Sequence, residues 1–276
     1  MTPQLPIFYI NLDSRPDRRD FMEEQFARLG IAADRIPAVT TADVPPHLIA
    51  HHADPGILWP VSAGDLACGL SHQLIWQRMV DENLSAALIL EDDALLADSI
   101  ASFLAPHLHE ELGFDLLKLE TRRNRVLLGA TATAFGTSEL RELQSSQMGS
   151  AAYIITRTAA QASLAHPLVN AMSVDRFLFG KGGLHLLRSR ILQVIPTPAV
   201  QLDRLNGVSG GAPAGTGRSD ILESRRQRNA RKAMPNLGSL ISLNAAHTAK
   251  LVRLIVRDPG ALRRTRVRVP FAGDSR

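Results

Sequence analysis

The 276-residue chain reads as an α/β protein whose largely parallel sheet carries helices on both faces. Three observations lead there. Short apolar runs of strand length alternate with longer segments whose apolar residues recur at helical spacing. One run, Ala86-Ala87-Leu88-Ile89-Leu90, has the length and composition of a strand buried on both faces. That run ends in three consecutive carboxylates, Glu91-Asp92-Asp93, before Ala94-Leu95-Leu96 resumes the apolar pattern. Ligands in such sheets gather at the carboxyl ends of strands, so an acidic strand tip is a candidate site.

Pro6–Leu12 is the first predicted strand, and Asp13-Ser14-Arg15-Pro16-Asp17 is a turn in which Asp and Ser bond local backbone and Pro fixes φ. Asp17 or a neighbour is placed to cap a helix with Phe21, Met22, Gln25, Phe26 and Leu29 on its buried face, stopped by Gly30. Ile36–Val39 is a short second strand. Pro45, Pro46, Pro55 and Pro60 argue for a loop over residues 40–63. Gly64–Glu82 reads as a helix with Leu66, Leu70, Leu74, Ile75 and Met79 inward, and a further helix is expected near residues 98–112. Phe114–Leu119 is a strand. Residues 120–147 read as irregular or hairpin, with Val126–Leu128 and Ala132–Phe135 as weak strands. A strand at Ala151–Ile155, helices at residues 157–165 and from Val174, and a strand at Ile191–Ile195 complete the pattern.

At 45% hydrophobic and 21% charged, the chain has enough apolar residues for a core without staples. Its one cysteine, Cys68, forms no internal disulfide and sits among Leu66, Ala67 and Leu70 like a small hydrophobe. The N-terminus lacks a basic stretch before a long apolar run, and no window reaches membrane-span length, so a cytoplasmic protein is expected. Charge is uneven: residues 218–276 hold 14 Lys/Arg against 4 Asp/Glu, whereas the rest is mildly acidic. The expected organisation is a domain over residues 1–205, a Gly-rich linker over 206–217 and a basic tail over 218–276. The tail has two clusters, Arg225/Arg226/Arg228/Arg231/Lys232 and Arg263/Arg264/Arg266/Arg268. Aromatic platforms for single-stranded nucleic acid are missing, so no nucleic acid partner is expected. Apolar and basic residues together suit an anionic membrane surface, which would make the protein peripheral on the inner face of the membrane; a solvated tail is the competing reading.

Three adjacent carboxylates repel one another and are costly to bury. A hard divalent cation, Mn²⁺ or Mg²⁺, relieves both penalties and keeps positions open for phosphate. The competing reading is an acidic turn in solvent. On an extended backbone, Glu91 and Asp93 share one face and Asp92 takes the other.

Four segments, in order, resemble glycosyltransferase family 25. They are Tyr9-Ile10-Asn11-Leu12-Asp13 with Arg18; Gly69-Leu70-Ser71-His72 with Ile75-Trp76; Ala87–Asp93; and Gly149–Arg157 followed by Val174-Asp175. The resemblance covers about residues 5–205. It implies a GT-A-like nucleotide-diphospho-sugar transferase fold. It also implies inverting transfer of a hexose, galactose or glucose, from a UDP-sugar to a glycan or lipid-linked glycan acceptor, as in lipopolysaccharide synthesis.

A metal ion would neutralise the diphosphate leaving group. Asp93 is the expected principal ligand, with Glu91 as a second; Glu91 or Asp92 would reach metal-bound water or the ribose. Inversion requires a base that is free of the metal, and Asp175 is the candidate. The competing reading of Asp175 is a helix N-cap. Asn11, Arg15 and Arg18 follow the first strand, where uridine and phosphate would be read, unless their charges belong to an ordinary helix surface. Ser71 and His72 are further donor-side candidates, His72 being equally well read as a buried, satisfied ring. Two positions depart from the family pattern. Met148-Gly149-Ser150-Ala151 lacks a histidine often found there, and Ser173 stands where Pro is common. A nucleotidyltransferase would show a Gly-rich phosphate loop, which Asn11–Arg19 lacks. A catalytically silent binding module is the remaining alternative, against which the acidic triad and Asp175 argue.

Overall fold

The computed structural model describes residues 4–54, 57, 59–205, 248, 252 and 264–274. The elements run β1 (Ile7–Asn11), α1 (Pro16–Leu29), β2 (Asp34–Pro37), α2 (Pro46–Ala53), α3 (Ala63–Asp81), β3 (Ala86–Glu91), β4 (Ala94–Leu96), a 3₁₀ turn (Asp98–Phe103), α4 (Leu108–Leu112), β5 (Leu116–Lys118) and β6 (Glu120–Thr121). They continue with β7 (Arg125–Phe135), β8 (Ser138–Leu143), β9 (Ala152–Thr156), α5 (Arg157–Leu164), α6 (Val174–Phe179), α7 (Leu184–Arg188), β10 (Ile191–Ile195), β11 (Ala199–Gln201), a 3₁₀ turn (Leu202–Arg204) and β12 (Arg264–Arg268).

Nine strands form one sheet in the order β12-β7-β8-β10-β5-β9-β3-β1-β2. Alternation along each strand sends side chains to two apolar layers. Ile7, Tyr9, Leu88 and Leu90 pack with Phe21, Met22 and Phe26 of α1 and with Ile100 and Phe103. Phe8, Ile10, Ala87 and Ile89 pack on the other side with Ile75, Trp76 and Met79 of α3 and Phe177–Phe179 of α6. Leu88, Ile89 and Leu90 are completely buried, each worth ~1.5–3 kcal/mol on transfer from water. The α/β architecture with helices on both faces is therefore as expected.

The parallel majority is not. In the nine-stranded sheet, among the described residues, β1-β2, β1-β3 and β5-β10 pair parallel, whereas β3-β9, β5-β9, β8-β10, β7-β8 and β7-β12 are antiparallel. Strand β9 inserts between β3 and β5 and runs against both. The reversal decides the site, because the start of β9 lies beside the carboxyl end of β3, with Leu90 opposite Ala152.

Other departures have local causes. Residues 46–53 form α2 within the expected loop, because Pro46 occupies the first helical turn, where its missing N–H costs nothing. The expected helix over residues 98–112 is broken at Pro106 into a 3₁₀ turn and α4. Leu74 is half exposed, because the buried stripe of α3 runs through His72, Ile75, Trp76 and Met79 and turns residue 74 to solvent. The two weak strands near residues 126–135 are one long strand, β7, turned at Gly136 into β8.

A second, three-stranded sheet, β4-β11-β6, stands beside the first. The basic tail expected beyond residue 217 is not wholly separate from the domain. Residues Arg264–Arg268 form β12 along β7, and Val269 and Phe271 are buried. A five-residue ladder and two buried apolar side chains pack this segment against the domain. The linker 206–217, the first basic cluster and Arg263 lie outside the described residues.

Candidate active site

Both sheets deliver residues to one end. Strands β1 and β3 run parallel, with Ile10 opposite Glu91, so Asn11 and Glu91-Asp92-Asp93 emerge together. Antiparallel β9 begins there, supplying Gly149 and Ser150. In the small sheet, β6 and β11 run parallel and end in Arg122 and the Leu202–Arg204 turn. Strand β4 starts there just after Asp93, and Gln201 lies opposite Ala94. A cleft of about 470 Å³ opens at this convergence, lined among others by Arg15, Arg18, Glu91, Asp92, Asp93 and Asp175.

The three carboxylates have three different environments. Asp92 is clamped: Asn11 Nδ2 donates to its Oδ2 at 2.8 Å, and Arg18 Nη1 donates to its Oδ1 at 2.8 Å. Burial pushes the Asp92 carboxyl up, while Arg18 and Asn11 oppose that shift. Glu91 accepts from Ser150 Oγ at 2.6 Å, and His72 Nε2 lies 3.5 Å from the same oxygen. Asp93 is pushed up to about 8, first by burial and then by the charge of Glu91. Its Oδ1 is fully buried with no hydrogen-bond partner among the described residues.

An unpartnered carboxylate oxygen beside a second carboxylate is a donor set that suits a hard divalent cation. These residues fit a Mn²⁺ or Mg²⁺ ion, which Asp93 and Glu91, both lining the cleft, would hold. Glu91 and Asp93 do not share their expected face by simple strand alternation. Strand β3 ends at Glu91, and Asp92-Asp93 form the turn into β4.

The donor-side candidates divide. Arg15 lines the cleft at the N-cap of α1 and grips Asp17 through Nε and Nη2 at 2.9 and 2.8 Å, which holds the Asp17 carboxyl low; Asp17 itself does not cap the helix. Arg18 reaches the cleft but spends Nη1 on Asp92, and Asn11 is buried beneath it, bonded to Asp92 and to Arg15 O. Asn11 is thus placed as a support of the acidic turn rather than as a donor contact. Ser71 lines the cleft, but its hydroxyl donates to Ala67 O and accepts from Val39 N, tying the segment after β2 to α3. His72 is completely buried, with Nδ1 2.8 Å from the Tyr153 hydroxyl, which also accepts from Trp76 Nε1. It stands behind Glu91 and does not face the donor space.

Asp175 lies in the first turn of α6, after the N-cap residue Ser173. Its Oδ1 accepts from Ser173 Oγ at 2.6 Å and from Arg176 N at 2.7 Å, and its Oδ2 accepts from Gly149 N at 3.3 Å. Asp175 is not the N-cap. Ser173, where Pro is common in the resembling family, adds a hydroxyl that orients the carboxylate. Ser150 likewise gives Glu91 a bond in the segment that lacks the histidine.

Sequence reasoning missed the layer underneath. Lys118 and Glu120 are completely buried and paired at 3.1 Å. Lys118 Nζ donates to Gly149 O at 2.6 Å, and Glu120 Oε1 accepts from Ala151 N at 2.9 Å. Burial pushes Glu120 up and Lys118 down, and their mutual attraction opposes both shifts. A lysine inside an otherwise apolar strand was the available signal. Gly149 adopts φ +105°, and a Cβ there would stand 2.6 Å from Glu120 Oε1. Arg122, Gln201, Asp203 and Arg204 also line the cleft, from segments that carry no motif.

The profile of "Glycosyltransferase family 25 (LPS biosynthesis protein)" matches residues 4–178, which include every catalytic, donor-side and metal-ligand candidate named from the sequence. "Lipooligosaccharide biosynthesis protein lic2B" of Haemophilus influenzae is 26% identical over 262 residues, 91% of this chain and 94% of the relative. "Lacto-N-neotetraose biosynthesis glycosyltransferase LgtB" of Neisseria meningitidis is 30% identical over 164 residues, 54% of this chain and 57% of the relative. A "Glycosyltransferase 25 family member" of Aedes aegypti is 37% identical over 95 residues; that match spans 32% of this chain and only 16% of the insect protein. Fold, cleft and profile agree: the chain belongs to glycosyltransferase family 25.

Proposed function

We propose that this chain is an inverting glycosyltransferase that moves a hexose, galactose or glucose, from a UDP-sugar to a glycan acceptor of lipopolysaccharide or a related lipid-linked glycan. The observation that carries the reading is Asp93, whose buried oxygen has no partner among the described residues and which lines, with Glu91, a cleft large enough for a nucleotide sugar. The names of the relatives from Haemophilus and Neisseria support the acceptor class.

Asp93 and Glu91 would hold a Mn²⁺ or Mg²⁺ ion, which would supply Lewis-acid stabilisation of the departing diphosphate. The chain's own residues do the rest. Asn11 and Arg18 fix Asp92 and hence the turn that presents Asp93. Ser150 sets the orientation of Glu91 through its hydroxyl, with the buried His72 ring packed 3.5 Å behind the same oxygen. Asp175 takes the proton of the acceptor hydroxyl as its oxygen bonds the anomeric carbon and the bond to diphosphate breaks. Ser173, Arg176 N and Gly149 N hold Asp175 in place for that transfer, and none of its partners is a metal ligand.

No helix among the described residues is long and apolar enough to cross a membrane. A cytoplasmic protein peripheral on the inner face of the membrane, guided by its basic C-terminal residues, is part of this proposal.

The test is release of free nucleoside diphosphate from a panel of nucleotide sugars, with Mn²⁺, Mg²⁺ or chelator, with and without a lipooligosaccharide acceptor. Metal-dependent turnover of UDP-galactose or UDP-glucose is expected. Absence of binding and turnover for every UDP-sugar overturns the reading.

A further inference from the structure

The far end of the chain, beyond the matched profile, is fastened to the loop that carries Arg122. Thr121 Oγ1 donates to Val269 O at 2.7 Å and accepts from Arg123 N at 2.8 Å. Arg268 Nε donates to Arg123 O at 2.9 Å, and the Arg123 guanidinium pairs with Asp274. Arg123 is held at φ +57°, a conformation that side chains other than glycine rarely adopt without surrounding support. The residue between these two anchors, Arg122, is thereby turned into the cleft.

There it meets a second cation. Arg122 and Arg204 line the cleft together, at the carboxyl ends of the adjacent parallel strands β6 and β11. The only ion pair of Arg122 among the described residues is Asp175 Oδ2, at 4.0 Å. Arg204 contacts Asp203 at 3.0 Å. Burial and the neighbouring Arg204 charge both push Arg122 down from the usual guanidinium range. Two half-buried, thinly paired guanidiniums lining one cleft are stabilised by an anion that bridges them, and their planar forks match phosphate oxygens.

We propose that Arg122 and Arg204 bind the diphosphate of the donor, and that residues 264–274 act as a clasp that positions Arg122 through Thr121 and Arg123. The inference deepens the nucleotide-sugar reading and rests on it for the identity of the anion. Arg122 contacts the ligand directly; Thr121 and Asp274 are positioning residues. The geometry gives the C-terminal segment a part in donor binding that no membrane role requires.

The test is titration calorimetry of the full chain with Mn²⁺, using UDP, uridine and inorganic pyrophosphate as probes. Arg122→Gln is expected to weaken UDP and pyrophosphate at least tenfold while leaving uridine unchanged, and Arg122→Lys to recover part of the loss. Thr121→Val and Asp274→Ala are expected to weaken UDP severalfold. Added to Arg122→Gln, neither should weaken it further, because their effect runs through Arg122. A purely structural role would instead lower affinity for all three probes and add to Arg122→Gln. UDP affinity unchanged in Arg122→Gln overturns the proposal and leaves the transferase reading standing. Pyrophosphate binding that is lost in Arg122→Gln, in a protein that turns over no UDP-sugar, upholds the anion site and overturns the transferase reading. Failure of the native chain to bind any of the phosphate probes overturns both.

Discussion

Gly149→Ala tests whether the buried layer beneath the cleft is as rigid as its bonds imply. At φ +105° an L side chain is strained by ~1–3 kcal/mol whatever the space around it. The added Cβ would also stand 2.6 Å from Glu120 Oε1 and 2.9 Å from Cδ and Oε2. The far end of a flexible side chain would ordinarily swing away at little cost, but Glu120 is completely buried, paired with Lys118 and bonded to Ala151 N. Moving it breaks a buried ion pair; leaving it forces an overlap of the kind that costs ~1–3 kcal/mol. The two contributions give a destabilisation of about 2–6 kcal/mol in urea unfolding at 25 °C. Gly30→Ala is the control: φ is +65° there, and nothing lies within 4 Å of the added atom, so only the backbone penalty of ~1–2 kcal/mol applies. Equal losses for the two variants would refute the rigidity of the Lys118–Glu120 pair. Because Gly149 N also bonds Asp175, Gly149→Ala should lower turnover in the residual folded protein, which Gly30→Ala should not.

Three further predictions concern charge. Asp92→Ala strips Arg18 of a 2.8 Å partner in a buried setting and should cost about 3–5 kcal/mol in chemical unfolding; a loss below about 1 kcal/mol would mean that the pair is solvated. Asp93→Asn should abolish metal-dependent UDP binding, whereas Asp175→Asn should spare binding and remove sugar transfer, as read by calorimetry and by diphosphate release; normal transfer by Asp175→Asn would refute its role as base. His185 is buried between Ser163 Oγ and Ser189 Oγ, each 2.7 Å from a ring nitrogen, and burial pushes it down to about 3. Its folded-state value lies below the ordinary 6.5, so the unfolded chain binds the proton first. The stabilisation is complete above pH 6.5 and is lost as pH falls toward 3, by ~2 kcal/mol at pH 5. Unfolding free energies at pH 7 and pH 5 should differ less by that amount in His185→Gln; an unchanged difference would refute the assignment.

The sequence showed the strands and helices whose patterns are local and hid what depends on pairing. Ala86–Leu90 was legible because a short, wholly apolar run has few other fates. The direction of β9 was not, since Ala151–Ile155 is equally apolar whether it runs with or against its neighbours. That reversal brings Ser150 to Glu91 and Gly149 to Asp175, so half of the site's support was invisible beforehand. Asp92, Asp93 and Asp175 were visible as charges in apolar surroundings. Arg122 and Arg204 were not, because each stands in a segment without periodicity, and the small sheet β4-β11-β6 that brings them together joins residues about eighty positions apart.

The acidic strand tip now has a division of labour that spacing alone did not supply. Three like charges in one turn are tolerable if each is neutralised differently. Asp92 takes a guanidinium and an amide, which consume both of its oxygens. Glu91 accepts a serine hydroxyl and faces a histidine, so it is oriented but stays at the cleft. Asp93 keeps a buried oxygen without a partner among the described residues and is pushed up to about 8 by burial and by Glu91. A fully supported turn with one carboxylate left unsatisfied costs stability that a merely structural turn would avoid, since protonation or an added donor would remove the penalty. The divalent cation of the proposed function would remove it too, and unlike a proton it would also attract the diphosphate proposed to bind Arg122 and Arg204. On the proposed function, the unpartnered Asp93 oxygen is therefore the feature that would draw a metal-bound diphosphate, rather than a bare anion, to this turn.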